Sequence, residues 1–164
     1  MGTRRLSAIV FTDIQGFTSA TQRDEKGALH LVDELERISA PIIADHAGRR
    51  IKSIGDGMLI EFPNALDALN GAVSLQLGIR ERNRAEPSRA INLRIGIHLG
   101  DVEVRGDDIL GDAVNIASRI EPLAEPGTIC LSAQVYDQVR NKVTLGFVPM
   151  GPRPRDIERG WVEV

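Results

Sequence analysis

Between residues 91 and 99 the chain alternates without a break. Ile91, Leu93, Ile95, Ile97 and Leu99 take one set of places, and Asn92, Arg94, Gly96 and His98 the other. A period of two sends successive side chains to opposite faces of a strand, so this segment predicts a β-strand with one face on a core. Residues 6–11 are a short apolar run that predicts a buried strand. Residues 49–54 and 58–62 flank Gly55-Asp56-Gly57, which predicts a hairpin. Residues 102–105, 128–131, 143–148 and 161–164 predict further strands, the last two on weaker patterns.

Helical spacing replaces alternation elsewhere. Leu29, Val32, Leu35, Ile38 and Ile42 mark a helix over about 26–46, with Gly48 beyond its end. Asn64 can cap a second, with Leu66, Leu69, Val73, Leu77 and Ile79 on its apolar face. Residues 84–89 read as a loop, residues 111–121 as a helix ending before Pro122, and Ser132 as the cap of a helix to about 139. Strand pairs with helices between them give an α+β fold: a mixed sheet with helices on one face. No internal repeat or second domain is visible, so residues 1–164 are read as one domain, whole or cut from a longer protein.

The chain is 42% hydrophobic but only 4% aromatic, so its core must come from Ile, Leu, Val and Ala. With a net charge of −3 it offers no basic, aromatic-bearing face of the kind that binds nucleic acid. Cys130 is the one cysteine, inside an apolar run, which fits a reducing compartment and a buried structural role. No stretch reaches the ~20 apolar residues of a membrane span, and the N-terminus lacks an export segment. From these features a cytoplasmic domain without direct membrane contact is expected, alone or as part of something larger.

Three groups of residues carry possible chemistry. Asp13 ends the first strand and Asp56 sits in the hairpin turn; on neighbouring strands their carboxylates would suit a hard cation such as Mg²⁺. The residues alone equally allow Asp13 as a helix cap and Asp56 as a turn former. Asn115 and Arg119 are four apart and share a helix face, which offers donors to a phosphoryl group or simply a wet stripe. Lys52, Arg94, Arg153 and Arg155 matter only if they converge on one cleft.

Taken together the motifs have a family likeness. Phe11-Thr12-Asp13-Ile14-Gln15-Gly16-Phe17-Thr18, then Ile51-Lys52-Ser53-Ile54-Gly55-Asp56-Gly57, then Arg94-Ile95-Gly96-Ile97-His98-Leu99-Gly100, then the segment from Asp108 to Arg119 containing Gly111-Asp112-Ala113-Val114-Asn115, resemble the class III adenylate and guanylate cyclase catalytic domain in order and spacing. The resemblance runs from about Leu6 to the end and implies a ferredoxin-like βαββαβ core with extra strands and helices. It implies that Asp13, Asp56 and the Ile14 carbonyl bind metal, and that Lys52 and Asp108 read adenine. It gives Asn115 and Arg119 the roles of orienting ribose and stabilising the transition state. Arg94, the tail arginine Arg155 and the Phe17-Thr18 pair are implied in substrate binding, Arg94 and Arg155 through phosphate.

The implied activity is conversion of ATP to cyclic AMP with two Mg²⁺ or Mn²⁺ ions per site. Lys52 and Asp108 complement adenine's ring nitrogen and amino group, whereas guanylate cyclases of the family usually carry glutamate and cysteine there. The resemblance also implies a homodimer with two symmetric sites, each built from both chains. The stretch between Gly100 and Asp108 is shorter than the arm with which many members grip their partner, which implies a dimer held weakly by this domain alone. A guanylate cyclase, or an inactive nucleotide-sensing or dimerisation module of the same fold, is the alternative.

Overall fold

The computed structural model describes residues 3–17, 23–148 and 161–163. The alternating segment is a strand, and it extends well past the apolar pattern. β1 (Thr3–Ile14) and β4 (Leu93–Arg105) pair antiparallel over the whole of β1, from Thr3 opposite Val104 to Ile14 opposite Leu93. Two strands, 91–99 and 102–105, were expected where β4 is one. Gly100 and Asp101 stay in the ladder, opposite Ser7 and Leu6, and a Cβ on Gly100 would stand 2.7 Å from the Ala113 Cβ. That glycine admits a helix and does not turn the chain.

β2 (Arg49–Ile54) and β3 (Gly57–Phe62) form the expected hairpin, and β3 pairs antiparallel with the other edge of β1. β5 (Asp108–Leu110), not expected as a strand, folds back on β4. β6 (Thr128–Leu131) lies parallel to β4, followed outward by β8 (Trp161–Glu163) and β7 (Phe147–Val148). The order β2-β3-β1-β4-β6-β8-β7, with β5 off the path, makes a mixed sheet and supports the α+β class.

Three helices lie where helical spacing or a cap predicts them, and the first adds a cap of its own. α1 (Glu25–Asp45) starts at Asp24, whose carboxylate accepts from the Gly27 N–H at 3.1 Å. α2 (Ala65–Ala85) is capped by Asn64, which accepts from the Asp67 N–H at 2.8 Å. α4 (Ala133–Val139) is capped by Ser132. α1, α2 and α4 cover one sheet face, where Ala8, Val10, Ile95 and Ile97 meet Leu35, Leu69, Leu75 and Val135. The loop expected at 84–89 contains the end of α2 and a 3₁₀ turn, Pro87–Arg89. No described helix is long and apolar enough to cross a membrane.

α3 (Asp112–Ile120) departs from the one-face expectation. It lies on the opposite face, where Ile9, Leu59, Val102 and Ile109 pack against Ala113 and Ala117. Gly96 and Gly100 lie beneath it, and a Cβ on Gly96 would come 2.5 Å from the Glu121 nitrogen. Small residues on both sides bring helix and strand backbones unusually close. This places the end of α3 directly over the end of β1.

Candidate active site

Asp13 is an odd residue of β1, on the α3 side with Ile9 and Phe11, and the ladder sets it opposite Arg94. The Arg94 guanidinium donates to both carboxylate oxygens, Nε to Oδ1 at 2.9 Å and Nη2 to Oδ2 at 2.8 Å. This fork-to-carboxylate geometry is the strong, orientation-fixing form of ion pair. Arg94 Nη1 also donates to the Pro122 carbonyl at 3.3 Å. Asp56 reaches the same place from the hairpin: its Oδ2 accepts from the Ile14 N–H at 2.8 Å. The hairpin root is fixed beside β1, with Thr12 opposite Met58 and the Thr12 hydroxyl accepting from the Met58 N–H at 3.1 Å. The two predicted aspartates and Arg94 are therefore brought together.

A third carboxylate joins them that the motifs do not mark. Glu121, in the 3₁₀ turn Glu121–Leu123 that ends α3, is 7% exposed and lies 3.7 Å from Arg94 Nε. Burial pushes its carboxyl up to about 8, reinforced by a hydrogen bond with Asp13 and by the charges of Asp13 and Asp56, against the pull of Arg94. In sequence it reads as the last residue before Pro122, on the inward face of its helix, and nothing local marks it as part of a site. With Glu121 held protonated at neutral pH, Asp13 and Asp56 around one guanidinium still leave an excess of negative charge here.

Among the described residues no group of three His, Cys, Asp or Glu side chains is set to hold a metal by itself. Mg²⁺ does not require one, since it commonly takes one or two carboxylates and completes its shell with water and phosphate oxygens. Asp13 and Asp56 supply hard oxygen donors with lone pairs beyond those used by Arg94 and Ile14. The donor set fits such an ion.

The second group lies where β5 approaches the edge strand β2. Lys52 Nζ stands 3.1 Å from Asp108 Oδ2, and Asp108 Oδ1 accepts from the Ile109 N–H at 2.8 Å. The hydrogen bond from Lys52 holds the Asp108 carboxyl below its ordinary value. Both side chains remain about two-fifths exposed, so a ligand can reach them. On α3, Ala113, Ala117 and Ile120 face inward while Asn115 and Arg119 are exposed together. Phe17 is half-buried and packs against the main core. Thr18, Arg153 and Arg155 lie outside the described residues.

Comparison with known proteins gives the family. The model of the adenylate and guanylate cyclase catalytic domain matches residues 4–152. A Rhizobium meliloti protein provisionally named adenylate cyclase 3 is 39% identical over 159 residues, 95% of this chain and 27% of that protein. An adenylate cyclase of Streptomyces coelicolor is 34% identical over 137 residues, 83% of this chain and 34% of that protein. The chain thus spans about a third or less of these two relatives. The crystal structure of an adenylate/guanylate cyclase/hydrolase from Silicibacter pomeroyi superposes with a TM-score of 0.87 at 35% identity, covering 99% of this chain and 96% of that one. With a family model spanning nearly all of it and a shared fold, the chain belongs to the class III adenylate and guanylate cyclase catalytic domains.

Proposed function

We propose that the domain is an adenylate cyclase that converts ATP to 3′,5′-cyclic AMP and pyrophosphate at sites shared by two copies of the chain. The Lys52–Asp108 pair carries this reading. A cationic donor and an anionic acceptor side by side match adenine, which presents a ring-nitrogen acceptor beside an amino donor. Each partner keeps hydrogen-bonding capacity beyond their mutual contact. Guanine presents the reverse pattern and would leave both groups mispaired.

Asp13 and Asp56 hold the divalent cations, Mg²⁺ or Mn²⁺, two per site. When bound, these supply charge neutralisation on the triphosphate and acidify the ribose 3′-hydroxyl. Arg94 has five N–H donors, of which Asp13 and Pro122 take three; two are left for phosphate oxygens. Asn115 orients the ribose and Arg119 offsets charge developing on the α-phosphate, where loss of one such donor costs ~10²–10³ in rate. A two-fold pair of chains sets Asp13 and Asp56 of one copy against Lys52, Asp108, Asn115 and Arg119 of the other, giving two equal sites. The domain works in the cytoplasm in second-messenger signalling.

The test is cyclic nucleotide formation by the purified chain from ATP and from GTP, over a range of protein concentrations. Cyclic AMP as the main product, with activity per chain rising with concentration, is expected. Cyclic GMP as the main product would make it a guanylate cyclase. No product at any concentration would leave a nucleotide-sensing or dimerisation module.

A further inference from the structure

Glu61 lies on β3 opposite Ile9 and Arg49, on the face over which the β4–β5 hairpin folds. It is 6% exposed and fully engaged. Arg5 donates to both its oxygens at 2.9 and 2.6 Å, Ser7 to Oε2 at 2.5 Å, and Arg49 Nη2 to Oε1 at 3.3 Å. A carboxylate so buried and so held is a fixed point in the sheet.

Arg49 has a second arm. Its Nη1 donates to the Asp107 carbonyl at 3.4 Å, at the tip of the β4–β5 hairpin and one residue before Asp108. β5 is three residues long and pairs only with β4, so the ladder itself holds this tip loosely. Arg49 and Lys52, both on β2, bond the hairpin from across the sheet. The Arg49 contact goes to the backbone of the tip and does not involve Lys52.

We infer that Arg49, anchored on Glu61, is a positioning residue for nucleobase recognition: it fixes the hairpin tip so that Asp108 meets the base at the height of Lys52. This rests on the reading of Lys52 and Asp108 as the base-recognition pair. A planar guanidinium can bond the carboxylate and the carbonyl at once, which a lysine ammonium on a single stem does not reproduce. Arg50, its neighbour, bonds Glu36 and Ser53 instead and serves as the control.

The experiment compares the KM and kcat of Arg49→Ala, Arg49→Lys, Arg50→Ala and Asp108→Ala with the parent on ATP and GTP, with melting temperatures alongside. Arg49→Ala and Arg49→Lys are expected to raise KM for ATP about tenfold and narrow the ATP-over-GTP preference by a similar factor, a change of ~1.4 kcal/mol. Their kcat at saturating ATP should stay within about twofold and Arg50→Ala should match the parent on both bases. If Arg49→Ala melts several degrees lower, Arg49→Lys, which keeps a cation beside Glu61, decides the matter. A lost Asp108→Ala preference with Arg49 variants unchanged overturns the positioning role alone. An unchanged preference in Asp108→Ala overturns the base-recognition reading, and this inference with it.

Discussion

Arg94 and Asp13, 81 residues apart in sequence, stand directly opposite each other on paired strands and are joined by two hydrogen bonds of 2.9 and 2.8 Å. The pair sits at the point where three carboxylates converge, so it balances charge as well as orienting Asp13. Arg94→Lys keeps the charge but loses the fork. Steady-state assays should show activity lower by at least ~10-fold, with the larger part of the change in KM for ATP. Parent-like kinetics would remove Arg94 from the phosphate-binding set.

Asp56 is held by a single described hydrogen bond, from the Ile14 N–H, and lies in a turn that asparagine also suits. Asp56→Asn should therefore fold, with a melting temperature within a few degrees of the parent, yet lose metal-dependent cyclisation by ~10²-fold or more. Measuring turnover against Mn²⁺ concentration checks this; an unchanged metal requirement would end the assignment of Asp56 as a ligand.

Two buried carboxylates make stability depend on acid. The hydrogen bond from Arg82 holds the Glu34 carboxyl low against the opposing effect of burial. At Glu61 burial pushes upward, but hydrogen bonds from Arg5, Ser7 and Arg49 outweigh it and keep the carboxyl below its ordinary value. Folded values below unfolded ones mean the stabilisation is complete above the ordinary carboxylate range and disappears as pH falls through the lowered values. Urea melts from pH 7 to pH 3 should show a steep loss below about pH 4.5, shallower in Glu61→Gln. Equal slopes for both proteins would contradict the role given to Glu61.

Glu121 has the opposite sign. Its carboxyl is raised to about 8, so the folded chain binds a proton more tightly than the unfolded one, and stability falls as pH rises from about 4.5 to 8. In metal-free buffer at pH 8, Glu121→Gln should melt higher than the parent, and the gap should close near pH 4.5. Thermal melts at the two pH values check the sign, which a lower-melting variant at pH 8 would reverse.

Glycine positions separate packing from flexibility. A Cβ on Gly96 would meet the Glu121 backbone at 2.5 and 2.6 Å, whereas one on Gly78 in α2 would touch Ile38 at an ordinary 3.5 Å. Gly96→Ala should cost ~1–3 kcal/mol, as overpacked cores do, and lower activity by displacing α3. Gly78→Ala should be neutral or stabilise by up to ~1 kcal/mol. Chemical denaturation of both variants makes the comparison.

What the sequence determined by itself was local. Alternation over 91–99, helical spacing over 26–46 and the caps at Asn64 and Ser132 each act through neighbours a few residues away, and each element begins within two residues of where its pattern placed it, although β4 runs on to Arg105. The family motifs also singled out Asp13, Asp56, Arg94, Lys52 and Asp108, which the fold gathers into two groups. Tertiary structure decided the rest. That β4 runs straight through Gly100, and that α3 takes the face opposite the other helices, follows from close packing of Gly96 and Gly100 against α3. Glu121 and the Arg5–Glu61–Arg49 network gain their meaning only from partners brought close by strand pairing and by α3. Short-range patterns encode where strands and helices begin, but the environment of a buried charge is set by which strands meet, and that is settled only when the sheet assembles.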